Sequence, residues 1–278
     1  MDEKLDIRKR VQRLKSLPTM PGVVNELLGM VESEDTQVSA IAEIIATDQV
    51  LTAKVLRIVN SPFYGFPGRI STINHALVLL GFSVIKGIVV SAVVLDLMAD
   101  SLVGLWEHSL AVATASDKIA RLVKVEEPEE VSTAGLLHDL GKVIVAVEMR
   151  EESQRILELV RQEKIPFIEA EKRVLDGVTH CQVGGWLAEE WNLSPRLREP
   201  IINHHQPEQA HTAEQPTAIV HLANVLTRAL QFGSGGDPYI PQISQSALDL
   251  LGFRVGDLAH LLRVVDEALD GLDTADFL

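Results

Sequence analysis

One segment, Phe82–Met98, is apolar on almost every side and strongly limits the folds open to this chain. A helix that is apolar all round has to lie inside the protein, surrounded by other elements. Its β-branched residues would also suit a strand, but its length favours a helix. The longest uninterrupted apolar run, Gly87 to Leu95, is too short to cross a bilayer. We therefore expect a central core helix and no membrane-spanning segment.

The rest of the chain shows the spacing of amphipathic helices. Apolar residues recur at steps of three and four, from a charged helix over 5–16 to a closing helix from Val255 to Leu269. Turn-forming residues separate these segments at Leu17–Gly22, at Gly81 and at Gly233–Pro241. No apolar–polar alternation is long enough for a sheet. We predict an all-α fold with at least ten helices.

The composition and net charge of the chain limit the classes of function that it can have. A chain of 278 residues that is 46% hydrophobic can bury a large core, as one domain or as two closely packed helical parts. Its net charge of −14 and the lack of a long basic run argue against nucleic acid and anionic membranes as partners, but leave room for a small nucleotide. The single Cys181 excludes an internal disulfide. Together with the absence of a signal peptide at the start, it suggests a cytoplasmic protein.

The stretch from Val125 to Lys142 carries the first candidate site. Pro128 suits the first position of a helix, and we expect Gly141 to end that helix in the left-handed conformation. His138 and Asp139 would then lie in the last turn, where an imidazole and a carboxylate can reach one divalent cation. Lys142 would follow just past the end, where its ammonium could meet a phosphate.

Further histidines lie near helix ends or on inward faces. His108 belongs to the apolar stripe of the helix Leu105–Leu122, His180 falls in a first turn, and His204-His205 end the helix that begins at Pro195. Each of these histidines, taken alone, would be interpreted as a hydrogen-bonded core residue. Their spacing matches successive helices of a bundle, whose ends can meet around Fe, Mn, Zn or Ni. Cys181 has no C-x-x-C partner, and we expect a small core residue there.

This order of histidines resembles the HD superfamily of metal-dependent phosphohydrolases, whose signature is a histidine, then His-Asp, then a distant Asp. The extra histidines resemble the HD-GYP phosphodiesterase branch. Three segments of the amino-terminal half, Leu17–Pro21, Ile45–Gly65 and Ile73–Gly81, are similar to HDOD proteins. The resemblance covers most of residues 15–225. It implies an HD-domain-like pair of helical bundles, with residues 1–100 forming the amino-terminal part and residues 101–278 the HD-like part.

The resemblance also implies a bacterial signalling module with a site for one or two divalent transition metal ions. The implied ligands are His108, His138, Asp139, His180, His204 and His205, with Asn224 as a weak one. Asn224 stands where the catalytic pattern has its final Asp, so it brings no charge. The segment His204-His205-Gln-Pro207 is not followed by Gly-Tyr-Pro, and we therefore do not expect hydrolysis of cyclic di-GMP.

Three functions remain open from the sequence. The first is a regulatory protein that holds metal and acts through a signalling protein partner. The second is a phosphohydrolase for a nucleotide or another phosphoester, in which Asp139 and Lys142 would be catalytic. The third is a metal-free helical scaffold.

Overall fold

A computed structural model of the protein describes residues 7–11, 22–30, 38–61, 64, 66, 69–270 and 272. Every regular element among these residues is helical, and none of them forms a strand. The predicted all-α class is therefore confirmed. Of the helix predicted over 5–16, residues 7–11 are described and helical. The predicted break from Leu17 to Pro21 lies outside the described residues.

The amino-terminal part is built around one long helix. The helices before it are α1 (Gly22–Gly29), α2 (Val38–Ala46) and α3 (Gln49–Val59), and all three pack against α4 (Ile73–Ser101). Helix α4 bends at Gly81, whose φ of 77° and ψ of 171° are not helical, so the break predicted there is confirmed. Its stretch Ile73–Val94 is long and apolar enough to cross a membrane, but 78% of its most apolar window is buried inside the protein. It therefore packs as a core helix, as the sequence predicted.

Ten more α-helices follow among the described residues. They are α5 (Leu105–Leu122), α6 (Pro128–Leu137), α7 (Leu140–Glu148), α8 (Arg150–Glu163), α9 (Phe167–Val174), α10 (His180–Glu190), α11 (Pro195–Asn203), α12 (Glu214–Ala229), α13 (Gln245–Leu251) and α14 (Leu258–Leu269). Helices α5, α6 and α12 pack together, α11 contacts α6, α10 and α12, and α7 lies between α4 and α10. This packing brings the α6–α7 junction, the start of α10 and the end of α11 to one place.

Helix α4 also connects the two parts that the sequence suggested. It contacts α1–α3 on one side and α5, α6 and α7 on the other. The division expected after residue 100 falls one residue before the end of α4 at Ser101. That boundary stays a prediction.

The left-handed helix end predicted at Gly141 is wrong. Helix α6 ends at Leu137, the chain turns at Asp139 (φ −97°, ψ 15°), and α7 contains both Gly141 and Lys142. A Cβ at Gly141 would lie 1.9 Å from the carbonyl oxygen of His180 and 2.8 Å from the backbone nitrogen of Gly184. Glycine is therefore required because α7 and α10 touch here. Gly184 lies on the same contact, because a Cβ there would come within 3.1 Å of the backbone nitrogen of Gly141.

Candidate metal centre

Four histidines surround the carboxylate of Asp139 at the junction of α6 and α7. The Nε2 atoms of His138 and His108 lie 3.3 and 3.9 Å from Asp139 Oδ2. Those of His180 and His204 lie 3.4 and 3.7 Å from Oδ1. All five side chains are at most 1% exposed. Five of the seven residues that the sequence proposed as ligands therefore converge on one buried point, although they are up to 96 positions apart in the chain.

Local structure explains how each histidine reaches this point. His108 lies on the buried face of α5, and His138 directly follows the last residue of α6. His180 is the first residue of α10, where Thr179 and Gln182 form a capping box. His204 directly follows α11. Three of the four are thus held at helix ends, and their direction is set by how each helix starts or stops.

Backbone carbonyls fix the tautomers of two of these rings. His138 Nδ1 is 2.7 Å from the carbonyl oxygen of Gly135, and His204 Nδ1 is 3.1 Å from that of Pro200. A carbonyl oxygen can only accept, so each Nδ1 carries the proton and donates it. The lone pair of each neutral ring is consequently on Nε2, the atom that faces Asp139. This is the arrangement in which histidine binds a metal ion.

Glu171 has the same effect on His180, and sequence reasoning missed it. This fully buried carboxylate on α9 accepts the backbone N–H of His180 at 3.0 Å and its Nδ1–H at 2.6 Å. Burial by itself lowers the pKa of His180, but Cys181 and Glu171 outweigh it and raise that pKa well above the usual value. An ion bound at Nε2 would therefore have to displace a proton. The only indication in the sequence was that Glu171 is an acidic residue in the amphipathic helix that precedes His180.

The protonation of the remaining groups suits a ligand set. Burial, together with neighbouring histidines, lowers the pKa of His108 and of His204 well below the usual value. Burial opposes the charge on Asp139, but His138 and Lys142 outweigh it and hold the pKa of this carboxyl well below its usual range. Two neutral imidazoles thus face an ionised carboxylate, and these are the forms that coordinate metals.

Several of these buried atoms lack any partner among the described residues. They are both ring nitrogens of His108, Nε2 of His138 and Oδ1 of Asp139. Leaving a polar atom buried and unpaired costs about 1–3 kcal/mol. A cation would use one lone pair from each of these three side chains at once. The residues present therefore fit a metal ion, and the cluster could hold one.

The possible ligands form two groups that meet at Asp139. Within each group, one ligand atom per residue lies within 4.8 Å of all the others. The groups are His108, His138 and Asp139, and His180, Cys181, His204 and His205. Cys181 was expected to be a small core residue. It is indeed buried, but its Sγ lies 3.5 Å from His180 Nε2. All the histidines that the sequence singled out as ligands belong to one group or the other.

Lys142 lies inside the centre, where the sequence had placed it beyond a helix end. Its Nζ donates to Asp139 Oδ2 at 2.8 Å and lies 5.0 Å from the ring centre of Phe167, and the side chain is 4% exposed. The loop Gly233–Pro241 covers this side. A Cβ on Gly235 would come within 2.9 Å of Lys142 Nζ and 3.1 Å of Asp139 Oδ2. The ammonium is thus held against Asp139 under a backbone cover.

A cavity of about 530 Å³ opens beside the centre. Its wall includes Cys181 and His205, together with Lys172 and Tyr239. His108, His138 and Asp139 are not part of that wall. Only the group containing Cys181 and His205 thus borders this open space.

Two polar residues on α12 differ in their roles. His221 Nδ1 donates to the carbonyl oxygen of His204 at 2.7 Å, and its Nε2 accepts the backbone N–H of Ser244 at 2.9 Å. Both ring nitrogens are therefore used in structural hydrogen bonds. Asn224 is buried one turn further along α12. Its part as a weak ligand stays a prediction.

Comparison with known proteins identifies relatives of this arrangement. Residues 17–207 match the family model of the HDOD domain. A protein of Treponema pallidum (strain Nichols), named only as uncharacterized, is 26% identical over 257 residues, which cover 87% of this chain and 47% of the relative. The chain thus spans about half the length of that curated relative.

Solved structures show the same fold. An HDOD domain protein of unknown function from Geobacter sulfurreducens is 29% identical, with a TM-score of 0.67 over 99% of this chain and 91% of its own. A proposed phosphohydrolase from Shewanella amazonensis SB2B is 24% identical, with a TM-score of 0.68 over 98% and 95%. A proposed metal-dependent phosphohydrolase from the same organism is 18% identical, with a TM-score of 0.58 over 100% of both chains. The last two likenesses show the fold alone.

Proposed function

Because this chain belongs to the HDOD domain family, we propose that it is a bacterial signalling protein whose buried centre holds a divalent transition metal. In this proposal the protein works in the cytoplasm and passes its signal to a protein partner. One or two ions of Fe, Mn, Zn or Ni would suit a ligand set of imidazoles with one carboxylate.

The observation that carries the metal is the set of unpaired buried atoms around Asp139. Oδ1 of this residue and Nε2 of His138 have no hydrogen-bond partner in the described part of the chain, although both are buried. Hydrogen bonds from Nδ1 turn the lone pairs of His138 and His204 towards the same point. A metal-free scaffold would bear the cost of these unpaired groups with nothing to offset it.

The enclosure of the centre favours regulation over turnover. A hydrolytic metal site keeps one coordination position open to water and substrate. Here His108, His138 and Asp139 are at most 1% exposed, and the backbone at Gly235 lies over Asp139 Oδ2. The ammonium of Lys142 already occupies that oxygen. Asn224 brings no second negative charge to the centre.

A phosphohydrolase is the alternative, and the cavity beside Cys181 and His205 is the observation that favours it. The cavity is large enough for a small phosphoester, and Lys172 on its wall supplies a positive charge. A bound ion would lower the pKa of a water molecule towards neutrality. Asp139 and Lys142 would then orient the reacting groups. The two Shewanella amazonensis proteins of similar fold carry phosphohydrolase names.

Metal analysis tests the proposal directly. Protein purified without a histidine tag from metal-replete cells should contain Fe, Mn, Zn or Ni in at least substoichiometric amount by elemental analysis. Asp139→Asn should lose it. Asp117→Asn is the matched control, because Asp117 is an equally buried carboxylate held by Arg121 outside the centre. Metal-free wild-type protein, or equal metal in Asp139→Asn, would disprove the metal centre.

Phosphoester turnover separates the two candidate functions. The metal-loaded protein is assayed on a panel of phosphomonoesters, phosphodiesters and nucleotides with added Mn²⁺ or Fe²⁺. A signalling protein should show no turnover above that of Asp139→Asn. Turnover that vanishes in this variant would establish the hydrolase instead, whereas equal rates in both proteins indicate a contaminant.

A further inference from the structure

We infer that Cys181 is a thiolate ligand, and that His180, Cys181, His204 and Asp139 Oδ1 form a tetrahedral site for a soft divalent ion such as Zn²⁺. This rests on the metal-binding part of the proposed function and goes beyond it, because it assigns the ligands and the class of metal to one half of the centre. Sequence analysis predicted only a small core residue at Cys181.

Two distances between the proposed ligand atoms match edges of a zinc tetrahedron. Zn–N bonds of about 2.0–2.1 Å and a Zn–S bond of about 2.3 Å place two nitrogens about 3.3–3.4 Å apart, and nitrogen and sulfur about 3.5–3.6 Å apart. In the protein, His180 Nε2 and His204 Nε2 are 3.3 Å apart, and Cys181 Sγ is 3.5 Å from His180 Nε2. Both edges agree with the values expected for zinc.

Asp139 Oδ1 supplies the fourth corner. It lies 3.4 Å from His180 Nε2 and 3.7 Å from His204 Nε2, close to the edge of about 3.3–3.5 Å expected between nitrogen and oxygen on zinc. This oxygen is buried and has no hydrogen-bond partner among the described residues. It is thus an independent sign that the point between the two rings is built for a cation.

The hydrogen bonds of the two rings support this arrangement. His180 Nδ1 donates to Glu171 and His204 Nδ1 donates to the carbonyl oxygen of Pro200. In the neutral rings, the two Nε2 lone pairs therefore face each other at 3.3 Å, which only a shared proton or a cation relieves. A shared proton would satisfy the two nitrogens and would place His180 Nε2 in an ion pair with Asp139 Oδ1, 3.4 Å away. A cation uses all four atoms.

Charge explains why a thiolate helps at this position. Asp139 is the one carboxylate in the two ligand groups, and Lys142 offsets its charge from the Oδ2 side. Asn224 adds none. A Cys181 thiolate supplies a second negative charge directly to the ion. Thiolate and imidazole together select Zn²⁺ and similar ions over Mn²⁺ or Mg²⁺. The cavity beside Cys181 and His205 gives the ion a way in.

Cobalt provides the test, because Co²⁺ adopts zinc geometries and absorbs light. Metal-free full-length protein is titrated with Co²⁺ and followed in the visible and near-ultraviolet range. We expect the visible bands of tetrahedral Co²⁺ together with a near-ultraviolet thiolate-to-cobalt band. Since the chain contains a single cysteine, that band can come only from Cys181. Cys181→Ser should lose it and bind Co²⁺ at least tenfold more weakly, with an unchanged far-ultraviolet circular dichroism spectrum.

The outcomes separate this inference from the proposal beneath it. Visible bands without the thiolate band in wild-type protein would overturn the role of Cys181 and leave the metal centre in place. Equal affinity and spectra in wild type and Cys181→Ser would do the same. No cobalt bands at all would overturn both. The wild-type spectrum decides the question even if the variant folds poorly.

Discussion

The direction of three of the four rings at the centre is set by hydrogen-bond acceptors on the side away from Asp139. His138 and His204 use backbone carbonyls, whereas His180 uses the carboxylate of Glu171. A charged acceptor holds the ring more firmly and makes its Nε2 a stronger donor to a metal. Glu171 is therefore the residue outside the ligand set whose loss should matter most to metal affinity.

We predict that Glu171→Gln weakens metal binding about 10- to 100-fold, the usual effect of losing such a partner. The amide can still occupy the same space, so the far-ultraviolet circular dichroism spectrum should change little. Competition with a chelator measures the affinity. Glu169→Gln is the control, because Glu169 is on the same helix but its side chain is 44% exposed. If Glu171→Gln bound the metal with unchanged affinity, Glu171 would have no role in supporting the metal site.

The sequence could predict the histidines but not their supporting residues. His108, His138 and His180 stand out because imidazoles at helix ends or on an apolar face are few and recur at bundle spacing. Glu171 and Cys181 acquire their roles only when α9 packs against the start of α10 and α10 against α11. No local pattern in the sequence contains that packing.

At the scale of elements, the contact between α7 and α10 holds the two halves of the centre in register. Gly141→Ala would place a methyl group 1.9 Å from the carbonyl oxygen of His180. Because that neighbour is backbone, the helices must separate. We predict a loss of about 3 kcal/mol or more in the free energy of unfolding, together with loss of bound metal. Urea unfolding and elemental analysis measure the two effects.

A matched glycine serves as the control for this variant. Gly256 has no heavy atom within 4 Å of an added Cβ, so Gly256→Ala should be nearly neutral. If Gly141→Ala unfolded at the same urea concentration as the wild-type protein and kept its bound metal, the close approach of α7 and α10 would be refuted.

Glu199 fixes the segment between α11 and α12 behind His204. Its carboxylate accepts the backbone N–H groups of His211, Thr212 and Ala213. Burial opposes its charge, but these hydrogen bonds outweigh burial and lower the pKa of Glu199. A lowered carboxyl pKa gives stability that is present above the unfolded value of about 4.3 and is lost as the pH falls through the folded value.

We therefore predict that Glu199→Gln lowers the free energy of unfolding by about 1–2 kcal/mol at pH 7. The difference from wild type should shrink as the pH falls below about 4, since the wild-type carboxyl is then protonated too. Urea titrations at several pH values measure it. Glu267→Gln, on the exposed side of α14, should show no comparable loss. If the difference in the free energy of unfolding between Glu199→Gln and wild type did not depend on pH, the stabilising role of the Glu199 carboxylate would be contradicted.

At the same scale, the sequence predicted most helices but misplaced one boundary. Apolar spacing and turn residues are local, so α3, α5 and the bend at Gly81 follow from them. Gly141 was interpreted as a helix end because glycine commonly ends helices by adopting the left-handed conformation. Here it is needed for contact with α10, which depends on tertiary packing.

At the scale of the whole molecule, metal binding should be coupled to stability. The centre draws ligands from α5, the α6–α7 junction, α10 and the end of α11, so an ion there connects most of the carboxy-terminal helices. A ligand that binds only the folded state adds about 2.7 kcal/mol at 100 times its Kd. For a chain of this size, we predict a rise in Tm of about 5–10 °C.

Thermal unfolding with and without metal measures this rise, and a chelator should reverse it. Asp139→Asn should show little response to the same metal concentration. A Tm that does not change while metal is demonstrably bound would mean that the ion lies outside the folded centre. An equal gain in Asp139→Asn would lead to the same conclusion.

The most direct test of the central claim is an anomalous-difference map from crystals of the metal-loaded protein, recorded on both sides of the absorption edge of the bound element. We expect a peak within about 2.0–2.3 Å of Asp139 Oδ1 and of Nε2 of His180 and His204. A metal-loaded crystal whose peak lies away from Asp139 would contradict the central claim.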